Sequence, residues 1–347
     1  MIAVQLFRLL RPLLAVAVGL FLGVLATKFA GENPLNVLEI LVKGAFGSTY
    51  AIGMTLFYAT PLLLTGISVS IAFQSGLFNI GAEGQLTLGA LAAAGVGILF
   101  PQLPWPLAPV VAGAAAFFAG AAWGALPGWL RARRGSHEVI NTIMLNFIAS
   151  GIAGWVTLYL WKNPDSQNPE TRAVGTGYLI DKLSFFGDAP VSTALFMAVA
   201  VWALSFFFLR RTPWGFEIRA TGQNESAAQA SGIDTGRTRI LAMALAGGVA
   251  GLVGVGEVLG NSTRFKFDFS PGFGFTGIAV ALLGRNHPLG VLASALLFGA
   301  LHKGAADLDL ETEHVTHDLS MILQALVILS VSAEGLWAWL DRKRARE

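Results

Sequence analysis

Between residues 73 and 85 the chain sets two amides and a carboxylate, Asn79, Gln85 and Glu83, between two long apolar runs. Polar groups beside a membrane-length run are costly unless they face protein, water or a ligand. The chemistry on offer is recognition: amides donate and accept, and a carboxylate accepts. Phe78, and Phe275 with Thr276 in a later glycine-rich stretch, add flat aromatic faces and a hydroxyl. Gly76, Gly81 and Gly84 supply backbone freedom and room for close helix approach. Asn79 is expected to cap the helix that follows, with Glu83 in its first turn, where the helix dipole favours a carboxylate. One reading is a solvated loop between two helices. The other is a broken helix lining a path for a polar solute, which the cost of stranded polar groups favours.

A second polar set recurs at helical spacing. Glu138, Thr142, Asn146 and Ser150 lie four residues apart, with Asn141 nearby. In a spanning helix such a stripe must face the bundle interior, either as interhelical hydrogen-bonding glue or as solute contact.

Catalysis finds little support. His137-Glu138 is not followed by a second histidine at 141, and no Gly-x4-Gly-Lys-Ser/Thr occurs, so the chain has no P-loop of its own. No nucleophile stands beside a base. The absence of cysteine excludes disulfides and thiol chemistry. Asp307, Asp309, Glu311, Glu313, His314, His317 and Asp318 read as a solvated acidic external loop rather than a metal site. No metal, cofactor or nucleic-acid partner is expected for this chain.

Composition decides what must position these groups. Of 347 residues 54% are hydrophobic and 13% charged, and mean hydropathy is +0.63. A soluble chain carries roughly a quarter charged residues, so this one belongs in a lipid bilayer. The expected fold is an all-α membrane protein, one transmembrane domain over residues 1–347, with about ten crossings, some short or broken. A retained first span, 13–26, follows Arg8 and Arg11, and an amphipathic surface helix covers 36–47. Crossings follow at 51–73, 80–100, 107–130, 139–161, 191–209 and 240–260. Two short apolar pieces at 273–283 and 289–301 are either tilted short helices or a re-entrant pair, and a last span covers 319–340.

Basic clusters at 131–134, 210–211 and 341–347 place those ends, and both termini, in the cytoplasm. The loop 162–190 is then external and 212–239 is the longest cytoplasmic loop. Within the latter, Asn224 is a helix cap, Ala227, Ala228 and Ala230 favour helix, and Gly232 ends it. The segments 76–81 and 274–279 share a Gly-apolar-x-small/polar-Ile-small pattern an odd number of spans apart, a faint inverted repeat of the kind that flanks a midplane site.

These residues carry a resemblance. Gly76-Leu-Phe-Asn-Ile-Gly-Ala-Glu-Gly-Gln85, Glu138-Val-Ile-Asn-Thr-Ile-Met-Leu-Asn146, Thr212-Pro-Trp-Gly215, Arg219-Ala-Thr-Gly-Gln-Asn224 and Gly277-Ile-Ala-Val-Ala-Leu-Leu-Gly-Arg-Asn-His-Pro288 stand in the order of one family. The chain resembles the integral-membrane permeases of bacterial ABC importers for sugars, nucleosides and branched-chain amino acids, nearest the nucleoside branch. The resemblance implies a multi-pass inner-membrane subunit that is not itself an enzyme. It implies a second permease subunit, a cytoplasmic ATPase that binds ATP and Mg, and an external substrate-binding lipoprotein. The coupling contact to the ATPase would fall on Asn224, Glu225, Ala227, Ala228, Ser231, Gly232 and Ile233. The solute path would take Phe78, Asn79, Glu83, Gln85, Asn141, Asn146, Phe275 and Thr276. Alternatives are a permease for a simple sugar or, in another class, an ion-coupled transporter using Glu83.

Overall fold

The structure, a computed structural model, describes residue 14, residues 16–312 and residues 321, 322, 325, 326, 329 and 330. Arg8, Arg11, Glu313, His314, His317, Asp318, the basic tail 341–347 and most of the expected last span lie outside the described residues.

Within residues 16–312 the helices follow in order: α1 (Val16–Phe29), α2 (Pro34–Phe46), α3 (Thr49–Gln74), α4 (Ala82–Leu99), α5 (Leu107–Arg134), α6 (Glu138–Trp155), α7 (Ala194–Arg211), α8 (Pro213–Gln223), α9 (Glu225–Ala230), α10 (Thr235–Gly251), α11 (Phe273–Leu283) and α12 (Pro288–Glu311). α6 runs on as a π-helical turn to Leu160, and a π-helical stretch, Val255–Ser262, follows α10. Among the described residues, β pairing is limited to isolated bridges. Among the described residues seven helices are long and apolar enough to cross a membrane, and α1 and α11 are shorter apolar helices. The all-α membrane class read from composition is the class observed.

Two expectations about elements need correcting. The piece expected at 289–301 is the start of α12, which continues to Glu311. Asp307, Asp309 and Glu311 therefore sit on a helix and not in a loop. Lys303 pairs with Asp307 one turn on, which satisfies both charges and lets the helix run through the acidic stretch. Likewise 212–239 is not a loop. Thr212 caps α8 by accepting from the Gly215 N–H at 3.1 Å, with Pro213 at the first helical position. Asp234 caps α10 by accepting from the Arg237 N–H at 3.0 Å, so that span begins at Thr235 and not at 240.

The chain divides into two compact units whose boundaries fall inside α3 and α12. The first holds residues 1–58 and 297–347. Its core joins Val24, Val37, Ile40, Leu41 and Leu308, and Gly44 lets α2 approach Asp307. The second holds residues 59–296 and contains every polar group singled out between α3 and α11.

In the second unit α4 and α10 are mostly buried while α6 and α7 are mostly exposed. α5 packs on α10 and α4 through small residues: Gly120, Gly124, Gly247 and Gly251 meet backbone to backbone, and Ala112 and Ala116 are fully buried. Between helices in lipid, close packing of this kind replaces the hydrophobic drive available in water. The segment 162–192 is tied down rather than loose. Thr171 N–H donates to the Phe265 carbonyl at 2.9 Å, and the fully buried Tyr178 donates its hydroxyl to the Phe100 carbonyl at 2.9 Å. Arg264 meets Glu170 at 2.8 Å. Burial pushes the Glu170 carboxyl up, but hydrogen bonds from Ser166, Arg264 and Asn163 and the Arg264 charge outweigh it and hold it below the usual carboxylate range.

A Cβ at Gly247 would overlap the Gly120 carbonyl, which is backbone and cannot swing aside. Gly247→Val is therefore expected to destabilise the protein by about 1–3 kcal/mol or more. Thermal unfolding of the detergent-purified protein checks this, with Gly151→Val, in open space on α6, as the control for steric cost; a native melting temperature for the Gly247 variant would remove the seam from the argument.

Candidate functional site

α3 ends because Gly76 turns the chain at φ 77°, a left-handed conformation that side chains resist. Beyond the turn, Asn79 is fully buried and closes a ring with Gln85. Its amide donates to Gln85 Oε1 at 2.9 Å, while Gln85 Nε2 donates back to Asn79 Oδ1 at 3.1 Å. The Gly81 N–H adds a third bond to Asn79 Oδ1 at 3.0 Å.

Asn79 is thus not the N-cap of α4; that position falls to Gly81, which has no capping side chain. The open N–H of the first turn is served from another helix. Asn146 of α6 accepts from Gly84 N–H at 2.9 Å and donates to the Ile80 carbonyl at 2.9 Å. The polar stripe on α6 does face the interior here: Thr142 is buried beside Gly81, while Met144, Phe147 and Ile148 are exposed on the other side. Asn141 stands apart, donating to Ser136 at 2.6 Å.

Glu83 reaches across to the second interrupted segment. Its Oε2 accepts from the Gly274 N–H at 2.7 Å, which caps the first turn of α11 with a carboxylate from α4. Gly272, at φ 85°, turns the chain into that helix, and a Cβ at Gly274 would collide with the Glu83 backbone. The two breaks therefore meet. The second copy of the faint repeat, 274–279, lies wholly within α11, whereas 76–81 is the non-helical link before α4.

Beside this joint lies a cavity of about 80 Å³. Glu83, Thr87, Asn146, Ser150, Asp268 and Ser270 give it acceptors and hydroxyls, and Phe267 and Phe269 give it aromatic walls. Asp268 is held at φ 62°, unusual for a residue with a side chain, in the stretch that leads to α11. Of the path residues expected from sequence, Glu83 and Asn146 line this cavity and Asn79 and Gln85 brace it. Phe78 packs edge-to-face on Phe73 with centroids 4.8 Å apart, Phe275 is exposed, and Thr276 is half-buried on the first turn of α11.

Sequence reading missed Phe267, Asp268, Phe269 and Ser270. The available signal was phenylalanine at every second position, 265, 267 and 269, an alternation like that of a strand, although the chain in fact turns at 267–268. It also missed Glu257, which is buried in the π-helical stretch and accepts from Asn261 at 3.2 Å. Buried carboxylates and π-helical turns both concentrate at working parts of membrane proteins.

A second feature lies in 212–239. Asn224 caps α9 by accepting from the Ala227 N–H at 3.0 Å, and Gly232, at φ 85°, follows its end. Ala228 is the one buried side chain of α9, and Ile233 is half-buried. Ala227, Ser231 and Gly232 are exposed, and Glu225 is bound to α10. A cleft of about 360 Å³ separates α8 from α9, with Phe216 and Arg219 on one wall and Ala227 and Ser231 on the other.

A helical membrane bundle with interrupted helices meeting at a polar cavity is an architecture met in solute-translocating subunits. Residues 51–332 match the family described as branched-chain amino acid transport system / permease component, and the chain belongs to that family of ABC transporter permeases. It is 36% identical to the guanosine ABC transporter permease protein NupP of Bacillus subtilis, over 95% of this chain and 94% of the relative. It is 34% identical to the nucleoside ABC transporter permease protein NupB of Lactococcus lactis, over 94% and 91%. It is 32% identical to the glucose ABC transporter permease protein TsgB13 of Haloferax volcanii, over 92% and 85%.

The Glu83 joint makes a direct prediction. Glu83→Gln keeps an acceptor for the Gly274 N–H and should stay near native stability. Glu83→Ala strands that N–H and should cost about 1–3 kcal/mol, read as a lowered melting temperature in detergent. Equal stability of the two variants would show that the contact does not hold α11.

Proposed function

We propose that this chain is the translocating permease of an ABC importer for nucleosides, the whole chain serving as one transmembrane domain. The observation that carries the reading is the cavity at the meeting of the two helix breaks. Its acceptors suit the hydroxyls of a sugar, and Phe267 and Phe269 offer faces for a planar base. Two of the relatives named above are permeases for guanosine and for nucleosides. Asn79 and Gln85 hold the wall rather than touch the solute, since their amides are spent on each other.

The chain has no P-loop, so ATP and its Mg bind a separate cytoplasmic ATPase that meets the cleft between α8 and α9. A second permease subunit completes the path, and an external binding protein delivers the solute to the side that carries 162–190. The last turns of α5 and α7, with Arg131, Arg133, Arg134, Arg210 and Arg211, and both termini then lie in the cytoplasm.

Uptake of a tritiated purine nucleoside by cells expressing the complete transporter tests the substrate. Unlabelled nucleosides should compete, while ribose, glucose, free base and amino acids should not. Asp268→Asn and Phe267→Ala should lower the maximal rate about ten-fold with binding-protein affinity unchanged, as expected for an interaction made after delivery. Competition by glucose alone would replace the nucleoside with a simple sugar.

Orientation is read independently. The native chain has no cysteine, so Asn168→Cys gives a single reporter. An impermeant maleimide should label it in intact spheroplasts; labelling only after lysis would invert the topology.

A further inference from the structure

α9 is six residues long, well short of the roughly 12–15 at which a helix holds itself in water. With Ala228 as its one buried side chain, apolar packing cannot set its direction. Polar bonds to α10 do. Arg239 clasps Glu225 with both ends of its guanidinium, Nη1 to Oε1 at 2.6 Å and Nη2 to Oε2 at 2.8 Å. Thr235, one turn before Arg239, accepts from Gln229 at 3.0 Å and donates to Glu225 at 3.4 Å. The fork is the stiff member of this set, because two parallel charge-assisted bonds fix angle as well as distance. Arg239 is only 14% exposed while Glu225 is 41% exposed, so water competes for the carboxylate end of the fork and little for the guanidinium.

α10 carries the direction onward. Its glycines lock onto α5, and Gly251 and Gly254 lie backbone to backbone against Gly89 and Ala90 of α4. α4 is the helix whose first turn holds Glu83, Asn146's partner Gly84 and one wall of the cavity. A parallel strut exists at α8, where Gly222 touches the backbone of Gln74 and Gly76 at the turn that leads into α4.

We propose that the Glu225–Arg239 fork is the joint that turns movement of the ATPase-facing helix α9 into movement of α10 and, through it, of the cavity wall on α4. Glu225 and Arg239 are positioning residues: neither touches the solute. This rests on the reading that α8 and α9 meet the ATPase, and it adds which side chains transmit the stroke.

The test uses the whole transporter in proteoliposomes: both permease subunits, the ATPase and the binding protein. Binding-protein-stimulated ATP hydrolysis and uptake of a tritiated purine nucleoside are measured in the same vesicles. Glu225→Arg and Arg239→Glu should each assemble yet lower uptake per ATP about five-fold, and the double exchange should recover most of it, as paired charges do in a double-mutant cycle. Arg239→Lys keeps the charge but loses the fork, and should give an intermediate ratio. Native ratios in both single variants, or a double variant no better than the singles, would overturn the joint. If charge reversal prevents assembly, Arg239→Lys decides, and a native ratio there overturns it. A wild-type complex that takes up no nucleoside defeats the substrate reading instead. The joint is then still read from stimulated ATP hydrolysis, which does not depend on which solute is carried.

Discussion

The hydrogen bond from Gly274 N–H to Glu83 is the constraint on which the site depends. A helix that begins inside a bilayer exposes N–H groups with no water to receive them. α11 begins beside α4, and a carboxylate on α4 receives one such N–H. α4 has the same problem at its own start, and Asn146 of α6 solves it. Each broken helix is thus capped by a side chain from a neighbour, which joins α4, α6 and α11 at one point.

Around this polar joint the bundle is built differently. The α5–α10 contact is a close seam built largely of glycine and alanine. Contacts of that kind are short-ranged and close-packed, so they move as a body or not at all. The polar caps are the softer part, since each bond can be traded for one to water or to a hydroxyl. Stiffness in α10 and exchangeability at the breaks are complementary, and α10 runs between the helix pair α8–α9 and the helix that carries Glu83.

What could be read from sequence follows from the range of each interaction. The cap of α9 was legible because Asn224 and the N–H it accepts are three residues apart. The α6 stripe was legible because a helix repeats its faces. Asn79 was misassigned as a cap because its own partner lies six residues on and the true cap of α4 comes from Asn146, 62 residues from Gly84. Glu83 was picked out by the rarity of a carboxylate in a span, but its bond to Gly274, 191 residues away, leaves no local trace. The length of α12 was misread because Asp307 looks like solvent-facing charge until Lys303 is placed one turn before it. Hydropathy cannot distinguish a paired charge on a helix from a wet one in a loop.

The same physics bears on how the path opens. Pulling α11 from α4 into hydrocarbon would strand the Gly274 N–H and a carboxylate, at a cost of several kcal/mol. Pulling them apart while water or a hydroxyl-bearing solute takes up both groups exchanges one hydrogen bond for another and costs little. The joint is therefore conditional: it resists opening when dry and yields when polar matter enters beside it. An ion-coupled carrier would need Glu83 to gain and lose a partner with each cycle. Here the carboxylate is already spent as a helix cap. Glu257 stands apart from this logic, buried near the far end of the same long span, with Asn261 bound to its carboxylate. Its π-helical turn widens the backbone just where Gly256 and Gly260 meet Ala194 and Ser192, so the rod ends in a segment built to adjust while its middle is built to hold.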